Sequence, residues 1–234
     1  MAFDIELIER FKTAASMLGA QVFVADSVED AVAYVLKLVK DRDIKLAVES
    51  HSALAAKLDL NKQLEATGVR ITDTAIVQWV LKLAQGKDVP FEKVAELVFS
   101  AAGEKVEAEP KALLIAARRV LKDIYLNTDL GITEADFGIA ETGTLVTLDN
   151  KGNARLAVVL PRLHLTLLDA SHVAASLSAA ADMIKGSSCG IPGHKVPTLI
   201  RHLTVRNNKA DIPGALFALT REPREEHILI VDVA

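Results

Sequence analysis

The segment DFGIAETGTLVTLDNKGNARLAVVLPR, residues 136–162, places Glu141, Thr142 and Thr144 between two apolar runs. A carboxylate buried without a partner is very costly, so we expect Glu141 at a strand end, or paired or hydrogen-bonded. Gly143 allows a backbone bend or a close approach by a ligand. We therefore predict a ligand edge here, with Glu141 and Thr142 as catalytic residues and Gly143 and Thr144 as binding residues.

A structural interpretation of the same acid stays open. Glu141 can instead form an ion pair with Arg155 or Arg162, while Gly143 makes a β-bulge. Structural ion pairs of this kind are common, and the motif is short. The sequence alone does not decide between a ligand site and such a pair.

A predicted turn, DNKGN, follows the acid and supplies further polar groups. If strands 142–148 and 154–160 pair across it, residues 147–149 face residues 153–155, and Arg155 lies near the strand that carries Thr144. A guanidinium in that position binds a carboxylate or phosphate in a forked geometry. We predict substrate-binding roles for Asn150, Asn153 and Arg155, and a solvated hairpin tip is the alternative.

The histidines and the single cysteine do not predict a metal or cofactor site. His164 lies on an apolar strand, where a hydrogen-bonded core histidine is expected. No pair of histidines has the spacing of a metal site on a helix. Cys189 is the only cysteine, which excludes an internal disulfide and a four-cysteine zinc or iron–sulfur site. We expect no metal and no cofactor within this chain.

The elements that position these residues alternate between strand and helix. Short apolar runs separated by helical patterns with short joints are typical of a parallel sheet. Predicted strands cover 21–25, 45–50, 69–72, 137–140, 142–148, 154–160, 163–169 and 225–234, and predicted helices begin near 4, 27, 51, 75, 90, 110 and 170. The pattern predicts an α/β fold: an open, mostly parallel sheet with helices on both faces and an appended β-hairpin.

Composition limits the function classes. Half of the 234 residues are hydrophobic, 4% are aromatic, and the net charge is −4. No basic run suits nucleic acid, and no apolar run is long enough to span a membrane. We expect a cytoplasmic protein of one domain, residues 1–234, with an N-terminal helix at 1–20 and a core at 40–234. The Ala-rich helix predicted at 170–185 has enough small residues for close helix contact, either with a second copy in a homo-oligomer or with the sheet of its own chain.

Three motifs together resemble a known family. The segment RRVLKDIYLNTDLGITEADFGIAETGTLVTLDNKGNARLAVVLPRLHL contains GIT-x-AD-x-GIAETGTLV, GNARL and LPRLHL. It resembles the lactate-utilisation (LUD) domain family, and especially the branch found in the iron–sulfur lactate-oxidation complexes of bacteria. The resemblance is strong over about residues 110–170 and weaker towards both ends.

The resemblance implies a fold similar to the NagB/RpiA/CoA-transferase group. It also implies an accessory or small-acid-binding role in oxidising L-lactate to pyruvate, with an iron–sulfur redox partner subunit. Arg155 would then hold the substrate carboxylate, while Glu141 and Thr142 orient its hydroxyl group.

Two closing motifs depart from the family pattern. The family's SGPS-x-TADIE is here TVRNNKADIP, which keeps Asp211 as a binding residue but loses the Gly–Pro anion loop. The family's G-x-HGP is here LTREP. Either change implies altered ligand preference or lost activity.

Two other function classes stay open. AETGT is similar to the acid–x–Gly segment of family-I CoA-transferases, which implies an acyl- or phosphate-substrate enzyme with Glu141 as nucleophile. The chain can also be a non-catalytic structural partner, because a fold does not determine a function.

Overall fold

The computed structural model describes residues 4–50, 52–74, 90–103, 109–148, 153–186, 198–201 and 225–233. The described helices are α1 (Ile5–Met17), α2 (Val28–Asp41), α3 (Ala53–Lys57), α4 (Leu60–Ala66), α5 (Phe91–Ala102), α6 (Pro110–Asn127), α7 (Asn153–Val159) and α8 (Leu177–Gly186). The described strands are β1 (Gln21–Val24), β2 (Leu46–Glu49), β3 (Arg70–Asp73), β4 (Leu130–Ala135), β5 (Phe137–Ile139), β6 (Thr144–Leu148), β7 (Leu163–Asp169), β8 (Val173–Ala174), β9 (Thr198–Arg201) and β10 (Glu225–Val231). The helix predicted from residue 75 lies outside these residues.

The main sheet is open and parallel, as predicted. Its six described strands lie in the order β1-β10-β7-β4-β2-β3, and every neighbouring pair runs parallel. The chain begins near one end of this sheet, crosses to the other end, and returns to place β10 between β1 and β7. The carboxyl ends of all six strands therefore meet at one edge.

Helices cover both faces of the main sheet. The side chains of Leu163, Leu165 and Leu167 on β7 pack with α2, α3 and α4 in one buried cluster. Leu168 on the same strand packs with α1 in a second cluster on the opposite face, where α5, α6 and α7 form a third. Alternate residues of a buried parallel strand thus face different helix layers.

Polar side chains cap the first two helices at their amino ends. Asp4 accepts hydrogen bonds from the N–H groups of Glu6 and Leu7 at the start of α1. Ser27 accepts from the N–H of Asp30 at the start of α2. Each side chain satisfies a helix N–H that has no partner within its own helix, which is why these helices begin where they do.

The second, four-stranded sheet corrects the predicted hairpin. Its order is β8-β5-β6-β9, and the hairpin joins β5 to β6. The predicted strand at 154–160 is wrong, because residues 153–159 form helix α7. Ala154, Ala157 and Val158 are buried at helical spacing on the sheet, and a short apolar run does not separate strand from helix by its period. The pairing of residues 147–149 with 153–155 therefore does not form.

Other elements also differ from the prediction. Strand β4, Leu130–Ala135, was not predicted, although it lies in the middle of the main sheet. The helix predicted from residue 170 begins only at Leu177, since a 3-10 turn at Ala170–His172 and strand β8 come first. Asp169 caps that turn by accepting from the N–H of Ser171, and β8 then pairs with β5.

Candidate functional site

The predicted acid lies in the tight turn between β5 and β6. The N–H groups of Thr142 and Gly143 both donate to the carbonyl of Ile139, at 3.2 and 2.8 Å. The N–H of Glu141 donates to the carbonyl of Ala175 at 3.2 Å. The backbone of the turn is thus hydrogen-bonded within the second sheet, while the Glu141 side chain is exposed to solvent.

Two hydroxyl groups lie beside this acid. Thr142 Oγ1 donates to Thr144 Oγ1 at 2.8 Å, and Thr144 is only 5% exposed. Thr142 is half-buried, so its hydroxyl links the solvent side of the turn to the buried strand. The turn therefore presents one carboxylate and one positioned hydroxyl, which together can accept and donate hydrogen bonds to a small polar ligand.

Gly143 serves the packing of the turn against α1. Its φ is +66°, and a Cβ atom built there would lie 2.6 Å from the backbone nitrogen of Ala15. The close approach predicted for this glycine is thus made by a helix of the same chain. Only glycine satisfies both the left-handed backbone and the short distance to α1 without displacement.

Two of the other predicted binding residues belong to helix α7 and not to the turn. Asn153 is the first residue of α7, and Arg155 is exposed on that helix. Along the chain, the five residues of β6 come between the Glu141 turn and α7, and each adds roughly 3.3 Å of strand. The structure brings together the group formed by Glu141, Thr142, Gly143 and Thr144. It does not join Arg155 to them through a hairpin, and Asn150 and Asp211 lie outside the described residues.

The carboxyl edge of the sheet holds two acids that the sequence reading missed. Glu134 Oε2 accepts from Ser52 Oγ at 2.7 Å and from the Leu54 N–H at 3.0 Å. Glu49 Oε1 accepts from the Ser52 N–H at 2.8 Å. Both carboxylates hold the start of α3, where free N–H groups favour negative charge. In the sequence, both acids follow apolar strand residues, and this position was the signal that could have identified them as residues of the carboxyl edge.

His164 is the hydrogen-bonded core histidine that the sequence predicts. Its side chain is fully buried, with Nδ1 2.7 Å from Glu226 Oε1 and Nε2 3.0 Å from Thr133 Oγ1. These groups belong to β7, β10 and β4, the central strands of the main sheet. The polar cluster therefore links three buried strands.

A second group of hydrogen-bonded polar side chains lies near the amino ends of the strands. Arg42 binds Glu225 through two nitrogens, at 2.8 and 2.6 Å, and this holds the pKa of Glu225 at about 2. His227 Nε2 lies 2.9 Å from Glu225, and burial lowers the pKa of His227 although that carboxylate opposes the shift. Burial, assisted by the charge of Glu225, raises the pKa of Tyr34 to about 12. The sequence analysis did not anticipate this network.

Two cavities lie elsewhere among the described residues. One, of about 420 Å³, is bounded by β2, β3, α5 and α6, and the other, of about 700 Å³, by the end of α2 and the start of β2. The described residues that line them include none of the predicted site residues. Among the described residues, no group of three or more His, Cys, Asp or Glu side chains is placed to hold a metal ion. None of the described helices is long and apolar enough to cross a membrane.

Comparison with known proteins gives one family match. A family model described as LUD domain matches residues 8–231. That range contains both sheets and every predicted site residue. A crystal structure of a DUF162 family protein from Deinococcus radiodurans covers 97% of this chain and 96% of its own, with a TM-score of 0.51 and 11% identity. At that identity the likeness concerns the fold alone.

Several bacterial relatives share one name. Lactate utilization protein B of Geobacillus sp. (strain WCH70) is 28% identical over 225 residues, covering 92% of this chain and 46% of the relative. The protein of that name from Macrococcus caseolyticus (strain JCSC5402) is 26% identical over 224 residues, with 92% and 45% covered. This chain thus spans about half the length of these relatives.

Proposed function

This chain belongs to the LUD domain family, and on that premise we propose that it is a small-acid-binding component of bacterial L-lactate oxidation to pyruvate. The observation that carries the proposal is the alignment of 92% of the chain with proteins named lactate utilization protein B. Because the matched part is about half of each relative, the proposal concerns one component of the activity, and it assigns no cofactor to these 234 residues.

The proposal includes an iron–sulfur redox partner. Oxidation of lactate to pyruvate releases two electrons and two protons, and an acceptor must take the electrons. The chain has one cysteine, so a four-cysteine cluster has to be carried outside these 234 residues. We propose a cytoplasmic location, because proteins of that reducing compartment usually have no disulfide bonds.

The turn between β5 and β6 supplies the hydrogen-bonding groups for the substrate hydroxyl. Its backbone N–H groups at Glu141, Thr142 and Gly143 are already donated to carbonyls, so the ligand must meet side chains. The exposed Glu141 carboxylate accepts a hydrogen bond from the lactate hydroxyl, and Thr142 orients it. Arg155, with Asn150, Asn153 and Asp211 in supporting roles, holds the substrate carboxylate.

Calorimetry with L-lactate and pyruvate tests the binding role. Wild type should release or absorb heat with both acids, and Arg155→Ala should weaken binding at least tenfold, since a charge-assisted contact is lost. Glu141→Gln should weaken lactate more than pyruvate, because only lactate has the hydroxyl donor. Arg118→Ala on α6, another exposed arginine, is the matched control and should bind as wild type. Absence of heat with either acid, together with no association with an iron–sulfur protein, would contradict the proposal.

A second candidate is acyl transfer with Glu141 as the nucleophile, favoured by the exposure of that carboxylate. The Gly143 N–H that would assist such a reaction donates to Ile139 at 2.8 Å, which makes this candidate the weaker one. Incubation with acyl-CoA and borohydride, followed by mass spectrometry, tests it: an unmodified Glu141 peptide contradicts covalent catalysis. A protein inactive in both assays that still associates with the redox partner would be a structural component.

A further inference from the structure

The backbone of the turn between β5 and β6 uses its N–H groups within the fold. All four N–H groups of residues 140–143 donate to carbonyl oxygens of the same chain, at 2.8–3.2 Å. Two of these acceptors belong to Ala174 and Ala175, and the third, Ile139, accepts twice. Turns that bind anions do so with free N–H groups directed at the ligand. The backbone of this turn therefore offers no such donors to a ligand.

The hydroxyl proton of Thr142 is also used within the fold. Thr142 Oγ1 donates to Thr144 Oγ1 at 2.8 Å. Thr144 is 5% exposed and begins β6, which pairs with β5 on one side and with β9 on the other. A hydroxyl group has one proton and two lone pairs. The Thr142 hydroxyl thus accepts from a ligand freely, whereas it donates to a ligand only after it gives up its bond to Thr144.

The exposed carboxylate of Glu141 adds further acceptor oxygens to the turn. A carboxylate has no proton to donate. The close packing of Gly143 on α1, where a Cβ atom would lie 2.6 Å from the backbone nitrogen of Ala15, fixes the position of the turn before a ligand binds. The turn therefore presents acceptors to solvent, while the fold uses its donors.

We propose that this turn selects acids that carry a hydrogen-bond donor on the carbon next to the carboxylate. It binds a 2-hydroxy acid or a 2-amino acid and disfavours the 2-oxo acid. Thr144 is the positioning residue of this preference, because it holds the Thr142 proton away from the ligand and acts on the ligand only through Thr142. The inference rests on the proposed function, and it adds the redox form of the acid that the turn prefers.

The chemistry of the two acids explains the preference. The hydroxyl of lactate donates to Glu141, whereas the keto oxygen of pyruvate has only lone pairs, which meet the acceptor oxygens of Glu141 and Thr142. An ammonium group in place of the hydroxyl has three donors and a charge opposite to that of Glu141. Oxidation of lactate removes the hydroxyl proton and the hydrogen on the same carbon, with two electrons passing to the acceptor. The product thus lacks the donor that held the substrate, and the turn favours its release.

Calorimetry with L-lactate and pyruvate on Thr144 variants tests the preference. Wild type should bind L-lactate roughly tenfold more tightly than pyruvate, the value of about one hydrogen bond. Thr144→Val keeps the shape and removes the hydroxyl, so the freed Thr142 proton can donate to the keto oxygen, and the ratio should fall roughly threefold or more. Thr144→Ser keeps the hydroxyl and should keep the ratio. A merely structural role for Thr144 would weaken both acids equally, and an unchanged ratio in Thr144→Val would overturn the proposal.

An NMR titration of wild type with methylammonium and with acetate tests the turn without either acid. Methylammonium has only donors, and acetate has only acceptors. The amide signals of Thr142 and Gly143 should shift with methylammonium and not with acetate, and Glu141→Gln should remove the shift. This measurement does not depend on how well Thr144→Val folds.

The two experiments distinguish this proposal from the proposed function. A lactate-to-pyruvate affinity ratio near one in wild type would overturn the selection and leave small-acid binding in place. If wild type binds neither acid, the small-acid role fails and the two ions decide the selection. A shift by methylammonium alone then supports it, and any other result overturns it.

Discussion

The hydroxyl of Tyr34 donates to Nδ1 of His227 across 2.6 Å, which joins α2 to β10. Tyr34 stays protonated because its pKa is raised to about 12, and the ionised Glu225 can only accept from Nε2, so neutral His227 accepts at Nδ1. The imidazole then carries its proton on Nε2 and donates it to Glu225 at 2.9 Å. Neutral His227 therefore satisfies both of its ring nitrogens with partners on two elements.

Acid should destabilise the fold through His227. Burial lowers the pKa of this histidine from 6.5 in the folded state, so its contribution is present above pH 6.5 and is lost as pH falls below it. Urea unfolding at pH 7.5 and 5.5 measures the loss. His227→Gln should reduce the loss, because the variant cannot take up that proton. An equal loss in the variant and wild type would show that other groups are responsible.

Arg42→Ala should destabilise the protein at neutral pH, since it removes the two-nitrogen contact with Glu225, which solvent partly screens. The pKa of Glu225 falls from 4.5 to about 2, so its contribution is present above pH 4.5 and is lost as pH falls through 2. The penalty should therefore shrink in acid, which urea unfolding at several pH values measures. Lys93→Ala breaks the exposed Lys93–Glu96 pair and should change little. An equal effect of both substitutions would argue against a special role for the Arg42 contact.

Gly143→Ala should destabilise the protein more than Gly68→Ala. Both glycines have positive φ, at +66° and +87°, so both substitutions strain the backbone. Only at Gly143 does the added methyl group meet α1, with Ala15 nitrogen at 2.6 Å, whereas nothing lies within 4 Å at Gly68. We expect a difference of about 1–3 kcal/mol in the free energy of unfolding. Equal effects in urea unfolding would mean that α1 moves away at little cost.

Glu134→Ala should weaken the start of α3 through the loss of two hydrogen bonds, at a cost of about 1–3 kcal/mol. Ser52→Ala removes the hydroxyl that donates to Glu134 and accepts from the Ala55 N–H. The double variant should be less destabilised than the sum of the two, because both changes remove one shared contact. Strict additivity in the unfolding free energies would contradict the proposed link between β4 and α3.

Part of the fold could be predicted because it depends on short stretches of chain. Ser27 with Asp30 marks the start of α2, and apolar runs such as LAV in β2 mark buried parallel strands. Strand β4 was missed because its composition reflects distant neighbours. Gly131 is small because a Cβ atom there would collide with the Ala157 carbonyl, and Thr133 is polar because its hydroxyl contacts His164.

The candidate site could likewise be predicted only in part from the sequence. The sequence by itself determined the open parallel α/β fold, the core role of His164 and a polar turn at Glu141. The tertiary structure decided that residues 153–159 pack as a helix on the sheet, so Arg155 lies on that helix and not on a strand paired with the one that follows Glu141. The physical reason is that capping and periodicity act within a few residues, whereas a short apolar run becomes strand or helix according to the surface that buries it.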